Sequence, residues 1–363
     1  MSHPSTPPSP TDLRGKRVAI VMMSAVGDAV HVLPVVNSLK AAAPDVHITW
    51  IVQPGPYQLV KEHPAVDDFV IFDRKRGWRA FRDLRREVRG RRFDIVIALQ
   101  VYFKAGLITG LLKAPRKLGF DRVRARDVNW LFTNERIPAR GQRHVQDQYL
   151  EFLEHLGVPP VMEWKLGPTP EEEARYAEVL PPSPKPTIAL VVGTSKPAKE
   201  WPVERYAELV DRLHDEVGAR CVVVGGRSER ETAAMATIAR LAKHPPLDLL
   251  EWDLRRLVYL LDRADVLVSP DTGPLHIGTA LGTPSVALVG YTNPKRVGPY
   301  RRFDDLLIDA YGDEGEDYPV SPEYRHGRME RISVDRVVET VRRALERYPR
   351  GRASGEESGQ AAP

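Results

Sequence analysis

Residues 266–299 read VLVSPDTGPLHIGTALGTPSVALVGYTNPKRVGP. Val266–Ser269 reads as a short buried strand, Pro270–Gly273 as a tight turn, Pro274–Leu281 as a helix and Ser285–Gly290 as a second strand. Together they form one βαβ unit, whose chemistry sits in the turn. Gly273 lets a ligand approach without a Cβ in the way. Pro274 suits the first helical position, where no N–H partner is needed, and the first-turn amides point outward with a partial positive charge. That is an anion site, most naturally for phosphate. Asp271, Thr272 and His276 add a carboxylate, a hydroxyl and an imidazole to its rim. The plainer reading is that Asp and Thr cap the helix and Gly-Pro is turn punctuation.

Upstream of this unit, Thr187–Val192 (TIALVV) reads as another buried strand. It leads into the loop Gly193-Thr-Ser-Lys-Pro-Ala-Lys199 and then a helix over Val203–Val217. Two hydroxyls, amides after a glycine and two lysines suit a diphosphate, although the spacing is not that of a Walker loop. Arg220–Val224 with Gly225-Gly226 is a further strand and turn, followed by helices Glu229–Ala242 and Leu254–Arg263. Helix Val334–Glu346 closes the patterned part.

The first half repeats the theme. Arg17–Met23 (RVAIVMM) is a strand, Ser24–Gly27 a short loop, and Asp28–Ala42 a helical segment, which places Asp28 at the mouth of the crevice at the strand's carboxyl end. Apolar runs Val46–Val52, Phe69–Phe72 and Ile95–Leu99 alternate with helical stretches Gln58–Glu62, Trp78–Arg89 and Ala105–Leu112. Such alternation implies a parallel sheet covered on both faces. The pattern stops in the proline-rich tract Pro159–Pro186 and then restarts, so a boundary falls there. The expected organisation is a tail at 1–15, a first Rossmann-like domain at 16–170, a second at 185–330, a closing helix at 331–350 and a tail at 351–363.

At 363 residues the chain is long enough for two cores. Its formal net charge of +4 is unevenly spread: between Arg74 and Arg92 basic residues crowd against only two acids, Asp83 and Glu87. Arg82, Arg85, Arg86 and Arg89 fall on one helical face, which reads either as a solvated surface or as a contact for an anionic partner, membrane surfaces included. Nucleic acid is disfavoured, because aromatics at stacking intervals and recognisable binding motifs are missing. The single cysteine, Cys221, excludes an internal disulfide and a cysteine-based zinc cluster and reads as a small core residue. No stretch reaches the roughly 18 to 20 apolar residues of a membrane span, so a cytoplasmic protein is expected.

Four separated motifs, in order, carry a resemblance. They are Gly27-Asp28 with Leu33-Pro34; Gln100 and Lys104 after Asp94–Leu99; Thr194-Ser195 with Lys199-Glu-Trp-Pro202; and Asp271-Thr-Gly-Pro-Leu-His276 with Ala280-Leu-Gly-Thr-Pro284. Across roughly residues 16 to 345 the chain resembles the ADP-heptose:lipopolysaccharide heptosyltransferases. The resemblance implies an α/β GT-B fold, two Rossmann-like α/β/α domains facing a central cleft. It also implies inverting, metal-independent transfer of a heptose from ADP-heptose, the nucleotide-sugar donor, to an anionic lipopolysaccharide-precursor acceptor at the inner membrane's cytoplasmic face.

Carried over by motif, Asp28 is the general base and Lys199 neutralises the departing ADP. Thr194, Ser195, Thr272, Gly273 and His276 cradle the donor, and Asp271 orients the sugar or its loop. Arg79, Arg82, Arg86, Gln100 and Lys104 are expected to meet the acceptor. After Gly225-Gly226 the chain has Arg227 where the family pattern has an acid for the ribose, and Glu229 is the expected substitute. The segment Asp313–Met329 lacks the cysteine cluster of some relatives. Three classes stay open on the residues: heptosyl transfer, a related transferase or epimerase of the same fold, and a non-catalytic nucleotide-binding module. A requirement for an acceptor separates the first from an epimerase.

Overall fold

The computed structural model describes residues 10–349. The first half carries β1 (Arg17–Val21), β2 (His47–Val52), β3 (Asp68–Ile71), β4 (Ile95–Ala98), β5 (Arg116–Gly119) and β6 (Glu135–Arg136). The second carries β7 (Thr187–Val191), β8 (Arg220–Val224), β9 (Leu247–Asp248), β10 (Val266–Pro270), β11 (Ser285–Val289) and β12 (Leu307–Asp309). All neighbours pair in parallel, in the orders β3-β2-β1-β4-β5-β6 and β12-β11-β10-β7-β8-β9. Counted from its own first strand, each sheet has the same order. Each therefore has one switch point, between β1 and β4 and between β7 and β10, where loops leave in opposite directions and open a crevice.

Helices α1 (Val26–Ala42), α2 (Pro54–Val60), α3 (Trp78–Glu87), α4 (Phe103–Leu111) and α5 (Val145–Leu156) belong to the first half. The linking α6 (Pro170–Tyr176) precedes α7 (Val203–Val217), α8 (Glu229–Leu241), α9 (Leu254–Arg263), α10 (Gly273–Leu281), α11 (Pro294–Val297) and α12 (Val334–Arg347). Helices on both faces explain why the central strands are continuous apolar runs: Val18–Val21 and Val266–Val268 are fully buried. Trp50, also fully buried, donates its indole N–H to Met22 O at 2.8 Å, which satisfies its one polar atom and ties β2 to the loop after β1.

Helix α1 has no solvent-facing stripe, and residues 29–39 are all buried. A helix that is apolar all round is an interior helix. Here α1 packs on α5 and, across the seam, on α10, so that Leu33, Leu257 and Ile277 share one apolar cluster spanning both halves. This shared core sets the spacing of the two crevices.

Two expectations change. Of the tail drawn at 1–15, residues 10–15 are packed: Leu13 is buried and Thr11 N–H donates to Leu156 O at 2.9 Å. Positions 1–9 and 350–363, including the second tail, lie outside the described residues. The short β5, β6, β9 and β12 escape an apolar-run reading because stretches such as Arg116–Gly119 (RKLG) and Glu135–Arg136 carry polar residues. Helix α12 covers the second sheet, with Val337, Val338 and Val341 against Val286 and Leu306. Cys221 is a core residue of β8, its thiol pushed up to about 12 by burial.

Candidate active site

The loops leaving the carboxyl ends of β1, β4, β7 and β10 line a single cleft of about 660 Å³ between the halves. From the first half come Asp28, Gln100 and Tyr149; from the second come Thr194, Ser195, Lys199, Glu231, Asp271, Thr272, Gly273 and His276. The two switch points therefore face each other. A second cavity of about 580 Å³ opens beyond Trp252, but Glu172 and Asp253 in its wall are already engaged by Arg255 and by the amides of α9.

Asp28 is the third residue of α1, so its carboxylate reaches back to the helix start. Oδ2 accepts the Ala25 N–H at 2.8 Å, and Oδ1 accepts the Tyr149 O–H at 3.2 Å from α5. The capping contact leaves room for a functional one, since a carboxylate has about four lone-pair sites and these contacts use two. Burial raises the Asp28 carboxyl above its ordinary value, against the opposing pull of the Ala25 hydrogen bond and the nearby His276 and Arg296 charges. A less acidic carboxyl is a better proton acceptor once ionised.

Across the cleft, Thr272 is the N-cap of α10 and makes no side-chain cap, which leaves the helix start open to an anion. Asp271 is buried beside it. Its Oδ2 accepts hydrogen bonds from Lys199 Nζ at 2.6 Å and Thr292 Oγ1 at 2.7 Å, and His276 Nε2 lies 3.5 Å from Oδ1. Burial opposes ionisation of Asp271, yet the His276 hydrogen bond and the Lys199 charge hold it well below the usual carboxylate range. Lys199 is thereby aimed at the start of α10. Behind His276 the ring of His31 stands edge-on at 4.7 Å; burial lowers His31 well below its ordinary value and His144 to about 4, so both are neutral near pH 7.

The helix starts of α1 and α10 approach so closely that glycine is required on both. A Cβ on Gly27 would lie 2.5 Å from His276 Cδ2, and one on Gly273 would lie 3.1 Å from Val26 Cγ1. His276 is backed by His31 and Asp271 and has nowhere to retreat. Gly27→Ala is therefore expected to part the two helix starts while leaving the protein folded. Misplacements of about 1 Å cost roughly 10²-fold in rate, a loss that steady-state kinetics beside a circular-dichroism melt would register; an unchanged kcat would show that the contact is slack.

Several sequence-based assignments need correction. Glu229 is exposed on the first turn of α8 and does not line the cleft. The acid there is Glu231, whose Oε1 accepts the Gly226 N–H at 2.9 Å and whose Oε2 accepts the Ser228 N–H at 3.1 Å. Ser228 and Glu231 form a capping box, a pattern legible in the sequence as Ser-x-x-Glu, which turns the acid at the third helical position inward and leaves the one at the first outward. The same carboxylate explains the glycines: a Cβ on Gly193 or Gly225 would meet it at 2.5 Å or 2.9 Å.

Arg79, Arg82 and Arg86 are exposed on α3 and outside the cleft, because α3 follows the edge strand β3 and seats only Ala80 and Leu84 inward. Lys104, on the first turn of α4, also points to solvent. Gln100 lines the cleft but is engaged, accepting from Met23 N–H at 3.1 Å and donating to Ser24 O at 2.5 Å; it braces the loop that delivers Asp28. The Thr194 hydroxyl donates to Lys196 O at 2.7 Å within its own loop, whereas Ser195 is exposed on the cleft wall. Residues missed include Tyr149, Thr292, Arg296 and Trp252, which stands 66% exposed against Gly226. Tyr149 and Trp252 stand apart from any motif, and Thr292 and Arg296 fall in the segment after β11, beyond the turn and helix to which the 266–299 stretch draws attention.

Two Rossmann-type sheets with facing switch points across one cleft make the GT-B architecture. The family model of glycosyltransferase family 9 (heptosyltransferase) matches residues 81–313. The chain is 30% identical, over 80% of its length and 84% of the relative, to the lipopolysaccharide core heptosyltransferase OpsX of Haemophilus influenzae. It is 28% identical, over 84% and 85%, to lipopolysaccharide heptosyltransferase 1 of Pseudomonas aeruginosa. Among solved structures it superposes on a family 9 glycosyl transferase from Veillonella parvula with a TM-score of 0.80 at 24% identity, covering 93% of this chain and 100% of that one. The E. coli heptosyltransferase WaaC with ADP gives 0.72 at 23% identity, covering 90% and 99%. The chain belongs to glycosyltransferase family 9, the heptosyltransferases.

Proposed function

We propose that the protein transfers a heptose from ADP-heptose to the inner core of a lipopolysaccharide precursor, by inverting displacement without a metal ion. One observation carries the reading: Asp28 of one half and the Lys199–Asp271 pair at the start of α10 in the other share a single cleft. The similarity to lipopolysaccharide heptosyltransferases supports the substrate class.

In this reading the acceptor hydroxyl attacks the anomeric carbon from the face opposite the diphosphate. Asp28 takes the hydroxyl proton as the new C–O bond forms, and the bond to the diphosphate breaks with its electron pair left on the departing ADP. Lys199 and the positive end of the α10 dipole meet that charge, a task fixed cations and oriented dipoles perform in a water-poor site. Glu231 and the flat face of Trp252, on either side of Gly226, suit a ribose and a nucleobase. The arginine face of α3, with Trp78 standing 82% exposed, suits peripheral contact with an anionic membrane surface. Among the described residues no helix is long and apolar enough to cross a membrane.

The test is ADP release from ADP-heptose with and without core oligosaccharide, repeated in EDTA, with the anomeric configuration of the product read by NMR. Acceptor-independent turnover, retention of configuration or loss of rate in EDTA would each overturn part of the reading. For Lys199→Ala, donor affinity and kcat are expected to fall together, by about 10²-fold or more in kcat/KM. Titration calorimetry with ADP supplies the binding half, and kinetics indistinguishable from wild type would remove Lys199 from the diphosphate.

A further inference from the structure

One group of titratable side chains lies away from the cleft, on the outer edge of the second half. Along α7, Asp211, His214 and Asp215 fall at spacings of three and four, so they share one helical face. That face meets the segment after α8, where the backbone N–H groups of Lys243 and His244 donate to Asp211 Oδ2 at 3.1 Å and Oδ1 at 2.9 Å. Pro245 and Pro246 follow at once, and a residue before proline has few backbone conformations open to it. His244 is therefore held from both sides.

The consequence is a convergence of two imidazoles on one carboxylate. Asp215 Oδ1 lies 3.1 Å from His214 Nδ1 and 3.2 Å from His244 Nε2, and three ligand atoms, one from each residue, stand within 4.8 Å of one another. The two rings stack with centroids 3.7 Å apart and planes 19° from parallel. Two donors each about 2.1 Å from one ion are about 3.0–3.4 Å apart at octahedral or tetrahedral angles, so the pairs to Asp215 already have the required spacing and the half-buried rings need only tilt. The His214 hydrogen bond, with the charges of His244, His214 and Lys243, holds Asp215 below its ordinary value, in the ionised form that ligates. The last turn of α7 adds the negative end of a helix dipole, and the opposing charge, Lys243, is exposed to solvent.

We propose that His214, Asp215 and His244 form a binding site for a divalent transition ion of the zinc class. Imidazole and carboxylate together suit zinc, nickel or copper, whereas magnesium and calcium take oxygen donors. The ion has three protein ligands and completes its shell with water. None of the three residues lines the cleft, so its role is structural: it clips the last turn of α7 to the segment between α8 and the edge strand β9.

The experiment is calorimetric titration of zinc chloride into the full-length, untagged protein after EDTA treatment and exchange into metal-free buffer. Wild type is expected to bind one equivalent that H214A and H244A each weaken by about 100-fold or more. D211A contacts no ion but releases the backbone of His244, and should weaken zinc by about 10- to 100-fold, the range for a lost supporting hydrogen bond. At a zinc concentration about ten times Kd, wild type should melt about 2–4 °C higher than in EDTA, a shift that H214A lacks and that magnesium or calcium chloride fails to produce. Melts in EDTA show whether each variant is folded, and H214N and H244Q, which keep a polar side chain, replace any alanine variant that is not. Absence of a stoichiometric equivalent overturns the assignment, as does zinc binding that survives both histidine variants or magnesium bound as tightly as zinc. Full affinity in D211A would also overturn it, by reducing the site to a chance meeting of surface imidazoles.

Discussion

Asp28→Asn is expected to lower kcat by about 10²- to 10⁴-fold, the range for a positioned proton acceptor, while ADP binds as before. The substitution keeps the shape and the bond to the Ala25 N–H and removes only the ability to take a proton. In wild type the rate should rise with pH as Asp28 ionises, with a midpoint above the carboxyl's ordinary 3.8, because burial raises it. The variant should lack that limb. Stability moves the other way. An acid whose folded pKa is raised holds its proton more tightly folded than unfolded, so stability is lost as pH climbs from the ordinary value through the raised one. Asn carries no such charge, so the variant should melt no lower than wild type at neutral pH and higher if the desolvated charge dominates. A pH–rate profile and a thermal melt on one preparation decide it: retained turnover, or lost ADP affinity, would falsify the role of Asp28.

How much of this was legible beforehand depends on whether the signal was local. The βαβ unit at 266–299, the strand at 17–23 and the loop after Val192 announce themselves because parallel strands buried on both faces must be apolar runs, and ligands gather at their carboxyl ends. Asp28, Lys199, Asp271 and His276 stand beside such runs and line the cleft. The arginines of α3 stand outside the cleft because charge density says nothing about placement: Arg82 and Arg86 are exposed on a helix that follows the edge strand β3. Tyr149 reaches Asp28 from α5, more than a hundred residues away in the chain, and Thr292 reaches Asp271 from the segment after β11, contacts between separate elements that no local pattern encodes. Glu231 is the intermediate case: its Ser-x-x-Glu capping box is readable in the sequence, whereas Glu229, two residues before it, is the exposed one.

Arg255→Met should destabilise the fold by about 3–5 kcal/mol, the range for removing one partner of a buried ion pair. Arg255 lies on α9 in the second half, and its reach is unusual. Nε and Nη2 each donate to Glu172 at 2.7 Å, Nη1 donates to Leu166 O at 3.1 Å and Leu59 O at 3.3 Å, and Nη2 donates also to Gly167 O at 2.8 Å. One side chain thus joins α9, the linker with α6, and α2 of the first half. Met keeps the volume but strands a buried carboxylate and three carbonyls. Burial alone would raise Glu172, and the Arg255 hydrogen bonds hold it below its ordinary 4.5 instead. The pair therefore stabilises fully above that pH and its contribution is lost as pH falls through the lowered value. In the variant the sign reverses: Glu172, uncompensated, is relieved by protonation, so the gap to wild type should narrow in acid. Adding Glu172→Leu should recover much of the loss, because an apolar pair of similar volume needs no compensation. Turnover of the single variant, measured well below its melting point, should also fall, since Asp28 and Lys199 sit on opposite sides of the seam that Arg255 fixes. A melt within about 1 kcal/mol of wild type, with no change in its pH dependence, would mean that the shared core around α1 sets the domain spacing unaided.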